Sequence, residues 1–181
     1  RYRTIINRRR KDAVLFACDA GGNAAQRMMQ MFRESLPRKV DVDIMACDFN
    51  SLMQGSTPDD VFCEYHILFI SGLLNPGWKD APFIPVEDII DIMENPTVYK
   101  AFERHLSHRE IEEFQQALLK NFSLENAVKS LTILDADRLL NFVQSALKRL
   151  QSAMGRPFHA KALLGLYIHI SCMVERLVTK T

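Results

Sequence analysis

Near residue 95 the apolar residues of this chain change their rhythm, and the change limits the folds open to it. Before that point, short apolar runs alternate with helical patterns. Ala13-Val14-Leu15-Phe16-Ala17 has strand length; after a Gly21-Gly22 break come Met28, Met29, Met31, Phe32 and Leu36 at helical spacing. Val40 to Met45 reads as a second strand with one polar face, and His66 to Ser71 as a third, buried on both faces. A short helix is expected within Ser51 to Tyr65, an edge strand at Phe83-Ile84-Pro85 and a closing helix over Val86 to Met93. Strands that alternate with helices predict a parallel sheet, whose ligand site lies at the carboxyl ends of the strands.

From Asn95-Pro96 onward the strand signals stop. Ser107-His108-Arg109-Glu110 has the S-x-x-E form of a capping box, and Ile111, Phe114, Leu118 and Phe122 follow on one helical face. A second helical segment is expected from about Ser123. Asp135 is placed to cap a third, carrying Leu139, Val143, Ala146 and Leu150 and ending near Gly155-Arg156-Pro157. A fourth runs from about His159 to Thr179. The expected fold class is therefore α/β plus all-α: residues 1–11 as a linker, 12–95 as a small parallel-sheet domain, and 96–181 as a helical bundle.

Charge excludes some functions. The 181 residues carry 23 Lys+Arg against 22 Asp+Glu, a formal net charge of +1, so no global field draws the chain to nucleic acid or an anionic membrane. The basic run Arg8-Arg9-Arg10-Lys11 reads as a solvated linker. The apolar stretch Ala162 to Val178 carries His169, Glu175 and Arg176 and reads as a buried helix, not a membrane span. Cys18, Cys47, Cys63 and Cys172 are widely spaced without a CxxC, which suits reduced thiols in a cytoplasm. No His or Cys pair has metal-ligand spacing, and neither a metal nor a cofactor is expected. A chain that begins at Arg1 and stops at Thr181 without a helix-ending signal is expected to be a segment of a longer protein.

Two places could carry chemistry. Cys18 follows the first strand in Cys18-Asp19-Ala20-Gly21-Gly22-Asn23-Ala24-Ala25. The backbone amides of Gly21, Gly22, Asn23 and Ala24, with the positive end of the next helix, could hold an anion there and make the thiol a better nucleophile. Equally, Cys18 could be a small apolar residue at a strand end. On the last helix, His169, Met173 and Arg176 share a face, since steps of four and seven residues return to nearly the same angle. Such an imidazole could accept a phosphoryl group whose charge the guanidinium neutralises, or it could be a satisfied core histidine.

The order Cys-x-x-Gly-x-x-x-Ala at Cys18, Gly21 and Ala25, with the later Pro82-Phe83-Ile84-Pro85-Val86-Glu87, resembles the galactitol-type enzyme IIB domains of the sugar phosphotransferase system. It resembles still more the IIB-like module of LevR-type regulators. The run His169-Ile170-Ser171-Cys172-Met173-Val174-Glu175-Arg176-Leu177 looks like the signature of phosphotransferase-system regulation domains, and Leu131 to Ala136 resembles the segment before the third helix of such domains. The resemblance implies a sigma-N-dependent transcriptional activator. It makes His169 the phosphorylatable histidine and Arg176 its partner, with Cys18 the position that would carry phosphate in the IIB-like part. HPr or enzyme II proteins would be the donors. The ATPase and DNA-binding domains of the same activator would be the chain's other partners. In this reading the chain is a regulatory phosphoacceptor, not an enzyme. An enzyme IIB component passing phosphate from Cys18 to a sugar is the alternative, and a scaffold with decayed phosphosites a third. Because the last helix is apolar nearly all round, a homodimer through the helical half is also expected.

Overall fold

The computed structural model describes residues 10–18, 23–53, 64–79, 81–123 and 136–179, and of Cys18, Asn23, Ala24 and Arg176, among others, the backbone alone. The first strand and helix are β1 (Lys11–Cys18) and α1 (Asn23–Ser35). They are followed by β2 (Asp43–Asp48), α2 (Phe49–Met53), β3 (Tyr65–Gly72) and β4 (Phe83–Pro85). Then come α3 (Pro96–Phe102), α4 (His108–Asn121), α5 (Ala136–Met154) and α6 (Ala160–Thr179). The four strands form one parallel sheet in the order β2-β1-β3-β4, as the alternation predicts. The second strand lies three residues later than expected, at Asp43–Asp48.

Alternation along β1 divides its side chains between two apolar layers. Val14 and Phe16 face the larger core with Phe32, Phe69, Phe102 and Phe114, whereas Ala13, Leu15 and Ala17 face a smaller one with Leu52, Ile67 and Ile70. Phe32 is the hub of the larger layer: its ring centroid lies 5.3 Å from Phe16, 6.4 Å from Phe69, 6.0 Å from Phe102 and 5.3 Å from Phe114. Strand, helix and the helices beyond residue 95 thus share one aromatic cluster. Leu164 and Ile168 of α6 belong to the same buried layer. The change of rhythm at 95 is a change of secondary structure, and the core runs across it.

The capping box forms as its sequence indicates, with the Ser107 amide donating to Glu110 Oε2 at 2.9 Å, and Ile111, Phe114, Leu118 and Phe122 are all buried. Two expectations are corrected. Val86 to Met93 is a series of tight turns, not a helix; Asp88 N donates to Pro85 O (2.9 Å) and Asp91 N to Asp88 O (3.4 Å). Val86, Ile89, Ile90 and Ile92 are all buried there, and burying Ile92 in place of Met93 needs a turn the helical period does not supply. On α5 the buried residues are Leu139, Val143 and Leu147, while Ala146 and Leu150 are exposed. The spacing of four is kept throughout; the stripe simply continues to 147 where 146 was expected. The segment expected from about Ser123, and the cap at Asp135, fall on 124–135, outside the described residues, as do Gly21 and Gly22. No helix among the described residues is long and apolar enough to cross a membrane.

Candidate functional site

Helix α6 carries the histidine motif and has two packed sides. Leu164 and Ile168 enter the large core, whereas Tyr167, with Leu163, Ile170 and Val174, packs on Leu139, Val143 and Leu147 of α5. His169 follows Ile168 directly and lies at the margin of the core-facing side, half-buried. Arg176 stands seven residues further along the same helix, two turns on. The placement of its side chain lies outside the described residues.

The turns after β4 form the surface on which α6 rests. Lys161 binds Asp91 at 2.9 Å and reaches Asp88 at 3.9 Å. One turn later on the same helix stands Gly165. A Cβ there would lie 3.2 Å from both Cδ and Oε1 of Glu87, so this carboxylate packs against the helix more closely than a side chain at that position would ordinarily allow. Glu87 Oε2 is buried and has no hydrogen-bond partner. Beside this contact, a cavity of about 390 Å³ is lined by Leu119, Phe122, Leu163 and Leu164 and by the paired Lys161 and Asp91.

Cys18 ends β1, the strand at which the order reverses, since β2 lies on one side of it and β3 on the other. In doubly wound sheets the carboxyl end of such a strand borders the ligand crevice. α1 begins five residues later, at Asn23. Across the sheet Cys18 is in register with Asp48. On β3, Gly72 is required by close approach: a Cβ there would stand 2.0 Å from the carbonyl oxygen of Ala17. The neighbouring Ser71 is fully buried with an unpartnered Oγ. The structure therefore puts Cys18 and His169 in separate places, on a strand end and on the last helix.

At the opposite end of the sheet lies a cluster that sequence spacing did not indicate. Asp12 Oδ1 is 2.7 Å from His66 Nδ1, and Asp12 Oδ2 is 2.9 Å from His105 Nε2. Partial burial opposes ionisation of Asp12, but hydrogen bonds from His66 and His105 outweigh it and hold the carboxyl below its ordinary range. These three residues are 54 and 93 positions apart, and only the β1–β3 register and the turn after α3 unite them. Among the described residues no group of three His, Cys, Asp or Glu side chains could hold a metal ion.

Against known proteins, the chain is similar to the transcriptional regulatory protein DagR of Salmonella typhimurium, at 22% identity over 172 residues. That match covers 91% of this chain and 18% of DagR, so the chain spans less than a fifth of the length of this relative. No protein-family model matches the chain, and no solved structure gives a significant match.

Proposed function

We propose that this chain is the signal-receiving part of a transcriptional regulator, that His169 is its phosphoacceptor, and that the charge placed there alters how α6 rests on the α/β half. The coarse part, a regulatory role in transcription, draws support from the likeness to DagR. The finer part rests chiefly on one observation: His169 is partly exposed at the margin of a helix whose other side is built into the core. A residue so placed is reachable by a donor, yet its helix cannot change position without disturbing buried contacts. In the reaction, a ring nitrogen of His169 attacks the phosphorus of a phosphohistidine donor such as phospho-HPr. The donor's N–P bond breaks, a new N–P bond forms on His169, the donor imidazole leaves and takes up a proton, and His169 gives up one. Arg176 would then meet the new charge.

Sensing of the sugar phosphotransferase system, dependence on sigma-N, and division into an enzyme IIB-like and a regulation domain belong to the same proposal. So do the cytoplasmic location and the homodimer. A second reading, phosphoryl transfer through Cys18, is favoured by the position of that residue at the end of the strand where the sheet order reverses. An acidic residue in register with it, Asp48, works against building a further anion at that strand end. Incubation with phospho-HPr, followed by ³¹P NMR and peptide mass spectrometry, separates the two. Label on His169 that is lost in His169→Ala and kept in Cys18→Ser supports the proposal. Label on Cys18 alone, or none on either residue, overturns it.

A further inference from the structure

Glu87 combines two unusual properties. A carboxylate oxygen buried without a hydrogen-bond partner is unfavourable, because the lost hydration is not replaced. Glycine in the middle of a helix is also unfavourable, because it loses more backbone freedom on folding than alanine does. Here the two coincide, since the Glu87 carboxylate packs tightly against the helix at Gly165. The cation one turn earlier on α6, Lys161, is engaged by Asp91 and Asp88 and not by Glu87. One turn later stands His169.

Helix geometry decides what this spacing means. Residues four apart lie one above the other, with Cβ positions about 5–6 Å apart. Helical side chains lean toward the N-terminus and cover the preceding turn. The turn before His169 is the one that holds Gly165, against which Glu87 rests.

We propose that Glu87 is the sensor of the phosphorylation state of His169, so that the contact between the β4-following turns and α6 is a charge-gated latch. With His169 unphosphorylated the carboxylate stays against Gly165. A phosphoryl group on the imidazole brings up to about two negative charges to the same turn. The carboxylate, one of whose oxygens is buried without a donor, is then repelled, and α6 loosens from Val86 to Asp91. This deepens the function proposed above and rests on His169 as phosphoacceptor.

The test uses the full chain in two arms. In the first, phosphoramidate phosphorylates the wild type and Glu87→Gln, ³¹P NMR measures occupancy, and amide hydrogen exchange is followed in residues 161–168 and 86–91. Phosphorylation is expected to speed exchange there about tenfold in the wild type and to leave Glu87→Gln nearly unchanged at equal occupancy. The second arm needs no donor: His169→Asp is made with and without Glu87→Gln, giving a double-mutant cycle on the same exchange rates. Loosening by His169→Asp that Glu87→Gln reverses supports the latch. Loosening that persists in the double variant, or equal loosening of wild type and Glu87→Gln on phosphorylation, overturns the role of Glu87. Absence of phosphohistidine on His169 in the first arm overturns the phosphoacceptor reading instead, and the cycle still reads the contact itself.

Discussion

Individual side chains separate reactive from inert chemistry here. Burial pushes the Cys47 thiol up to about 12, with the charge of Asp48 adding to the effect, so this cysteine is almost wholly protonated at neutral pH. Iodoacetamide at pH 8 is expected to leave Cys47 unmodified in the folded protein and to alkylate it in urea; peptide mapping of both samples reports it. Glu110 is the opposite case. A hydrogen bond from Lys39, then those from Ser107, hold it at about 2 against an ordinary 4.5. A carboxyl lowered by folding stabilises the native state above its unfolded pKa and loses that contribution as pH falls through the folded value. The contribution of Glu110 is therefore complete above about pH 4.5 and fades toward about 2. Wild type should lose more of its melting temperature between pH 5 and pH 2.5 than Glu110→Gln does. Equal losses would remove the assignment. Asp12 acts with the same sign through His66 and His105. None of its partners was legible in the sequence, because hydrogen bonds between residues 54 and 93 positions apart depend on tertiary register and leave no periodic trace.

At the scale of single elements, local chemistry and packing agreed in some places and competed in others. The α4 cap and its four buried apolar residues were legible because a capping box and a 3.6-residue stripe are both written within one segment. The sheet was legible for a similar reason, since runs such as Val14 to Ala17 are apolar on both faces. Val86 to Met93 was misread because Val86, Ile89, Ile90 and Met93 fit a helical stripe, while the fold buries Ile92 through successive turns. Helix α3 went unassigned, although Asn95 caps it by accepting from the amides of Thr97 and Val98 and Pro96 opens it, a signal that was present. The contact at Gly165 was invisible, since what packs against a glycine comes from another element. Gly72 gives the clearest prediction at this scale. A methyl group 2.0 Å from the Ala17 carbonyl oxygen cannot be accommodated without separating β1 from β3. Gly72→Ala should yield mainly insoluble protein, and recovery of a soluble chain with wild-type melting would contradict the register.

Across the molecule, exposed apolar side chains gather on the last two helices. Phe142 is 66% exposed and Leu177 64%, with Leu150, Met154, Met173 and Val178 between 43% and 52%. A homodimer through these helices would cover them. Light scattering at micromolar concentration should give twice the chain mass, and Phe142→Glu with Met173→Glu should return a monomer of unchanged helix content. A wild-type monomer would refute the proposal. The hub at Phe32 adds an expectation about core strength: Phe32→Ala should cost about 3–5 kcal/mol, read from urea titration.

The same ring also fixes what can be cut or transplanted. A chimera built by exchanging residues 12–95 for those of another protein would take Phe16, Phe32 and Phe69 and leave Phe102 and Phe114 behind. Each piece would keep part of one interdigitated set of rings and meet a stranger's side chains in place of the rest. A piece ending at 123 carries all five. In a calorimeter the longer piece should absorb heat in one sharp peak, and the shorter should melt over a broad range with none. The length over which strands alternate with helices and the length that melts as one body are then different stretches of the same polypeptide.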